Sequence, residues 1–495
     1  MKRIAGVSLF TTLVVLALFF PLIAESDVGG SVVKVYSQSY PYNPETPWLL
    51  SNAISATGSG CIISGNRILT NAHVVADAKF IQVKRAGGKD KVQAEVEAVA
   101  HQCDLAILRV KKSDFFQGAE PLEVGPLVAL RDRVTVYGFP TGGEEMSTTE
   151  GIVSRVELHS YAHSYVRLLC GQIDAAINPG SSGGPVIQNG RIVGVAFQAE
   201  RGQNLSYMVP SPVVRHFLKD IEDGKHDGIP GLEIEAQLLE NPALQARYGL
   251  GPGQSGVLIS AIHPGSDLEG VAQPGDVILS IDGHSVANDG TVEFRKNERT
   301  QYNYFIQDHF IGDFVDIEVL RAGQVLKLRP KLTVARDSTS LVPPTEYDRQ
   351  PSFFIIGGLV FQRLTGNYVR HWDRDEAPPN LVNYYYSGIP TRERKNIVVL
   401  TSILPDEVNV GYESLTDVGI VEANGRRVST LQELADAVET NTQPYHVFIN
   451  ESGDRIVLDR AKAQERSAEI LQRYMVTSDR SPDLKGAKTA APAKK

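Results

Sequence analysis

From Ser31 to about Lys219 the chain is a series of short β-branched or alternating runs. SVVKVYSQ, DRVTVYGF, GIVSRVEL and RIVGVAFQ are each cut off by Gly, Asn or Pro. Many short strands with turn residues between them predict a sandwich or a barrel. The stretch PSPVVRHFLKDIEDG, residues 210–224, then reads as a helix starting near Ser211 and stopping at Gly224, which closes the first unit. The remaining residues need cores of their own, because 495 residues exceed what one hydrophobic core can organise.

Two later stretches look like versions of each other. GVLISAIHPGSD through GDVILSIDGHSV, residues 256–286, runs strand, Pro turn, strand, Gly turn. IVVLTSILPDEV through DVGIVEANGRRV, residues 397–428, repeats that order. Each leads to a terminal hairpin, turning at Ala322-Gly323 in the first and at Ser452-Gly453 in the second. A helical pattern, STLQELADAV, precedes the second hairpin. Two copies of one small α/β module are expected, joined by the Ser-, Thr- and Pro-rich linker RDSTSLVPPTEYDRQP. Past Asp479 the chain becomes rich in Lys, Ala and Pro and reads as a flexible tail.

Composition excludes some functions. The formal net charge is −9, and no segment is basic enough to supply the footprint that nucleic acid demands. Lys2 and Arg3 precede an apolar run from Ile4 to Phe20 that ends in PLIAES, a pattern predicting a secretory signal over residues 1–24. The same run, about 17 apolar residues, is just long enough to be an uncleaved membrane anchor. Either reading exports the rest of the chain. Cys61, Cys103 and Cys170 match no zinc-ligand spacing and read as small buried hydrophobes.

Three segments carry chemistry. TNAHVV places His73 behind the strand NRILT, HQCDLAILRV places Asp104 at the head of a strand, and INPGSSGGPV places Ser182 in a glycine-rich turn. A serine hydroxyl is a poor nucleophile until an imidazole takes its proton. The imidazole needs a carboxylate to fix its tautomer and stabilise its charged form. Glycines let the backbone turn tightly enough to aim amides at a developing oxyanion. Gly180 and Ser182 are the expected donors, with the Ser181 amide between them to assist. The order His, Asp, Ser is that of the chymotrypsin-type double barrel. No ligand cluster calls for a metal or cofactor.

TNAHVV, CDLAIL and DAAINPGSSGGPV resemble the HtrA/Deg family of trypsin-fold proteases, in which one or two PDZ domains follow the protease domain. VANDGTV, GGLVF and VLDRAKAQERSAEIL are further similar to the plant Deg proteases that have a degenerate second PDZ. Those relatives are intracellular, and the signal-like start here departs from them. The resemblance implies a mainly β chain: a chymotrypsin-like double β-barrel protease domain over 30–224, then two PDZ-type α/β modules. The expected boundaries are 226–336 for the first module, 337–351 for the linker, 352–478 for the degenerate second module and 479–495 for the tail. It also implies a homo-oligomer built from trimers.

The primary pocket is expected from Ala176, Ile177 and Asn178 before the nucleophile and Val195, Ala196 and Phe197 after it. No carboxylate stands among them, so a small apolar residue before the cleaved bond is expected. In a PDZ module loop amides hold a peptide's terminal carboxylate while the peptide adds to a sheet edge. In the first module that loop is expected at Gly231, Leu232, Glu233 and Ile234, with Glu233 repelling the ligand. In the second, IIGGLVF, residues 355–361, is the corresponding stretch, and a tyrosine-rich insert follows it. Three readings of function stand: an endopeptidase for unfolded or damaged exported proteins, periplasmic or anchored outside the cytoplasm; a chaperone or scaffold with little turnover; or a regulatory protease with one dedicated partner.

Overall fold

The computed structural model describes residues 28–200, 205–372 and 376–484. The expected leader, 1–24, and the far part of the tail, 485–495, lie outside the described residues.

Strands β1 (Val32–Ser39), β2 (Ile54–Ile63), β3 (Arg67–Thr70), β4 (Ala78–Arg85), β5 (Val92–Ala100) and β6 (Leu105–Val110) close into a barrel in the order β1-β2-β3-β6-β5-β4. A single helical turn, α1 (Ala72–Val75), leaves β3. A second barrel, in the order β10-β11-β12-β9-β8-β7, uses β7 (Arg133–Gly138), β8 (Ser147–Ser160), β9 (Arg167–Ile173), β10 (Pro185–Gln188), β11 (Arg191–Glu200) and β12 (Leu205–Pro210). Closure removes the unpaired edges that such short strands would otherwise expose. One apolar cluster spans the seam, joining Val32, Leu69 and Ile107 of the first barrel to Phe139, Val195 and Val209 of the second. Helix α2 (Ser211–Asp220) seals that cluster with Val214 and Phe217 and ends through a 3-10 turn at Gly224, whose φ is 85°.

In the next unit β13 (Ile234–Leu238), β14 (Val257–Ile262), β15 (Val277–Ile281), β19 (Ile317–Arg321) and β20 (Gln324–Leu328) form a sheet in that order, and β16 (His284–Ser285) pairs with β15. The hairpin β17 (Thr291–Arg295) with β18 (Glu298–Gln301) and the short helices α3 (Pro242–Arg247) and α4 (Asn303–Gln307) complete it. The β19–β20 turn falls at Ala322-Gly323, both at positive φ, 46° and 79°, which suits the twist of a two-residue hairpin.

The last unit has β21 (Phe353–Ile356), β22 (Leu359–Arg363), β23 (Val398–Ile403), β24 (Val418–Ala423), β26 (Tyr445–Asn450) and β27 (Arg455–Asp459) in one sheet, with β25 (Arg426–Arg427) beside β24. Helices α5 (Gly366–Val369), α6 (Pro379–Ser387), α7 (Leu431–Glu439) and α8 (Arg460–Arg473) flank it. Helix α7 opens on a capping box between Thr430 and Glu433.

Two expectations change here. Residues 355–361 do not form a loop followed by an open edge. Gly357 and Gly358, at φ 54° and 83°, fold Phe353–Ile356 back on Leu359–Arg363, so β21 covers the outer edge of β22. Residues 479–484 are not tail. The Ile355 amide donates to the Asp479 carbonyl at 2.7 Å and the Ser481 amide to the Phe353 carbonyl at 3.0 Å, so this stretch runs along the outer side of β21.

Candidate active site

The turn of α1 brings His73 from the end of β3 to the seam, and the turn before β6 brings Asp104 beside it. Asp104 Oδ1 accepts from the His73 backbone amide at 2.8 Å, and Oδ2 faces His73 Nδ1 at 2.7 Å. Asp104 is 1% exposed and sits at φ 54°, a left-handed conformation that Asp tolerates better than most residues. Asn71 holds it there, donating from its side chain to the Asp104 carbonyl at 2.7 Å. Burial alone would push the Asp104 carboxyl up, but the His73 charge and hydrogen bonds outweigh it and hold it below the ordinary range. For His73, burial pushes down while the Asp104 charge and hydrogen bond push up, and the net is above the ordinary 6.5.

Ser182 comes from the other barrel, in the turn between β9 and β10. The Ser59 amide, on β2, donates to the Ser182 carbonyl at 2.7 Å and so ties that turn across the seam. Ser182 is half-buried, and its Oγ donates to the Phe197 carbonyl at 3.4 Å. A bond of that length is weak and leaves the hydroxyl free to turn.

The glycines earn their places by close approach. Gly180 has φ 92°, and a Cβ there would stand 2.5 Å from the Phe139 carbonyl oxygen. Gly183 has φ 85°, and a Cβ there would stand 2.1 Å from the Ser59 carbonyl oxygen. The Pro179 carbonyl accepts from Thr141 N at 2.7 Å and Thr141 Oγ1 at 2.9 Å. A trans peptide sets N–H opposite C=O, so this anchor directs the Gly180 amide away from Thr141. Ser59 Oγ pins the next carbonyl, that of Gly180, at 2.7 Å. The Ser181 amide does not assist as expected: it donates to the Asn178 carbonyl at 2.9 Å, closing the turn itself.

Of the expected pocket residues, Ala176 and Asn178 are exposed, whereas Ile177 and Phe197 are buried. Val195 and Ala196 have no exposed surface: their side chains pack into the seam cluster and the second barrel's core respectively. All three cysteines are buried and free, and burial pushes the Cys61 thiol up to about 12.

The loop expected to hold a carboxylate is arranged differently from the expectation. The Gly231 amide already donates to the Val334 carbonyl at 3.2 Å. Glu233, at φ 49° and 8% exposed, turns inward: Oε1 accepts from Asp337 N at 3.1 Å and Oε2 from Thr339 Oγ1 at 2.8 Å. Its carboxylate therefore clamps the following segment instead of facing a ligand. Leu232 is buried, and Ile234 begins β13.

Sequence reasoning missed Asn71, Ser59 and Thr141, and also a group around His73. His163 lies with its ring centroid 6.1 Å from that of His73 and bonds His101 at 2.9 Å between ring nitrogens. From the expected linker, Tyr347 packs on both rings and Asp348 bonds His101. The nearness of TNA to His73 was the one local signal; the rest comes from distant sequence.

Two closed six-stranded barrels with a histidine–aspartate pair on one and a glycine-framed serine on the other define a trypsin-like serine protease fold. The trypsin-like peptidase domain family matches residues 58–195, and the PDZ domain family matches residues 342–483. Protease Do-like 2, chloroplastic, of Arabidopsis thaliana is 39% identical over 460 residues, covering 92% of this chain and 75% of that protein. Protease Do-like 4, mitochondrial, of the same plant is 37% identical over 452 residues, covering 91% and 84%. A solved point variant of the HtrA-type protease AlgW with decapeptide has TM-score 0.50 at 23% identity, covering 62% of this chain and 94% of that one, a likeness of fold. The chain belongs to the HtrA/Deg family of trypsin-like serine proteases. The PDZ match falls on the last unit, in which β21 covers the edge of β22.

Proposed function

We propose that the protein is a serine endopeptidase acting through His73, Asp104 and Ser182. His73 Nε2 takes the Ser182 hydroxyl proton as Oγ attacks the peptide carbonyl, and Asp104 stabilises the imidazolium. The Gly180 and Ser182 amides receive the oxyanion. His73 then protonates the leaving amine, and water deacylates the enzyme by the same steps in reverse. The observation that carries this reading is the 2.7 Å contact between a fully buried carboxylate and His73 Nδ1. Such a contact leaves Nε2 unprotonated and open to the serine.

The substrates are unfolded or damaged proteins cut after small apolar residues, in keeping with Ala176, Ile177 and Asn178, none of which carries a carboxylate. The unit from β13 to β20 is a second PDZ-type module. The outer edge of β13 ends its sheet and offers peptide a strand to pair with. The last unit, with β22 already paired by β21, serves assembly into a trimer-based homo-oligomer. The charged start and apolar run of the leader support an exported location. Among the described residues no helix is long and apolar enough to cross a membrane.

Denatured casein incubated with the protein and with Ser182→Ala tests the reading. Many fragments ending in Val, Ile or Ala, absent with the variant, are expected. Casein left intact, or cut equally by both, would refute it.

A further inference from the structure

The segment expected as a spacer is strapped to the protease domain. Its start is held by Gln102 Nε2, which donates to the Arg336 carbonyl at 2.9 Å, and its end by Gln350 Nε2, which donates to the Pro47 carbonyl at 3.1 Å. Between these, Asp77 and Asp348 exchange bonds: Asp77 N donates to Asp348 Oδ1 at 2.6 Å, and Asp348 N donates to Asp77 Oδ1 at 2.7 Å. Both residues sit at positive φ, 57° and 59°. Asp348 Oδ2 also holds His101 Nε2 at 2.8 Å.

The strap delivers Tyr347 to the histidine pair beside His73. The Tyr347 ring stacks on His163, centroids 4.0 Å apart at 20°, and leans on His101 at 4.7 Å. Its hydroxyl donates to the His163 carbonyl at 2.9 Å. His163 in turn lies 6.1 Å from His73. The loop carrying His163 is tied to β11 by the Ala162 amide, which donates to Gln198 Oε1 at 2.8 Å, one residue past the carbonyl that Ser182 Oγ touches. His73, His101 and Tyr347 all keep part of their surface open to solvent.

An extended peptide advances ~3.3 Å per residue. Past Val195 β11 is paired with β12 but no longer with β10, and a substrate that adds to this free side would carry its second to fourth residues before the cleaved bond towards these rings. Resting on the reading of Ser182 as nucleophile, we infer that Tyr347 is a specificity-determining residue: it completes a wall of the substrate cleft that selects apolar side chains at those positions. The His163 ring in it is neutral, because burial pushes its pKa down to about 4.

The test compares the full-length protein with Tyr347→Ala and Tyr347→Phe on two substrates. One is a library of peptides varied at the second to fourth residues before the bond. The other is an acetyl-valine ester, which has no residues there. The native protein is expected to favour Leu or Phe over Glu in the library by about tenfold, the size of one aromatic contact. Tyr347→Ala should flatten that preference and leave ester hydrolysis unchanged, and Tyr347→Phe should keep it. An unchanged library profile in Tyr347→Ala, or equal losses on ester and peptides in a variant that melts like the native protein, overturns the inference. If Tyr347→Ala fails to fold, a Tyr347→Phe that loses the preference while keeping ester turnover overturns it too, since the ring is retained. Ester hydrolysis that survives Ser182→Ala would instead overturn the catalytic reading, and this inference with it.

Discussion

Replacing Asp104 by Asn keeps the shape of the side chain and removes its charge, and the geometry dictates the consequence. The native carboxylate accepts from His73 N at 2.8 Å and faces Nδ1 at 2.7 Å. An amide has one acceptor. If its oxygen faces Nδ1, its NH₂ meets the backbone N–H, and two donors confront each other at a site 1% exposed, costing about 1–3 kcal/mol. If its oxygen keeps the backbone bond, its NH₂ faces Nδ1, which must then become the acceptor. The ring proton moves to Nε2, the nitrogen proposed to receive the serine proton. The second arrangement wins, and the enzyme rests in the wrong tautomer. The expected loss in kcat is about four orders of magnitude, the size this exchange has in a trypsin-type triad, or about 5 kcal/mol of barrier. The pH profile should move as well. In the native protein His73 is raised above 6.5, so kcat/KM falls as pH drops through that raised value. Without the Asp104 charge only burial acts on the ring, and the acid limb should shift to lower pH. Measuring kcat/KM for a peptide with Val before the bond, between about pH 5 and 9, reads both effects. A loss of less than tenfold, or an acid limb that stays put or moves up, would refute the reasoning.

Ser182→Ala should abolish peptide hydrolysis, whereas Ser181→Ala should keep activity within about tenfold, because Ser181 contributes its backbone amide to the turn. The reverse result would reassign the nucleophile. Glu233→Gln removes the charge that holds Asp337 and Thr339 and should lower stability by about 1–2 kcal/mol in thermal melting, with no gain in affinity for peptides bearing a free C-terminus. A clear gain would show that Glu233 faces the ligand after all. Phe354→Ala empties a 2% exposed site between β22 and α7 and should cost about 3–5 kcal/mol; a melting curve like that of the native protein would mean β21 does not cover β22.

Much of the architecture could be read along the chain because its signals are local. Strands are short and punctuated, Ala322-Gly323 and Ser452-Gly453 mark hairpin turns, and Thr430 with Glu433 announces α7. The residues proposed as the triad stand out in the sequence for the same reason: each sits in a short segment whose flanks fit the proposed task, and the demand for positive φ at Gly180 and Gly183 is written in GSSGG. Residues 355–361 and 479–484 were misread because strand pairing is a contact between distant residues. IIGGLVF is compatible with a loop and with a hairpin, and only the packing of Phe354 against α7 chooses. Glu233 misled for a related reason, since its charge was visible but not its inward turn. The strap shows the limit most plainly. Composition marks 337–351 as a spacer, yet Tyr347 reaches His163 and Asp348 reaches Asp77 and His101 across 184, 271 and 247 positions of sequence. No periodicity encodes such contacts. They exist because the closed barrels present a fixed surface, and the chain between two folded modules has to cross it.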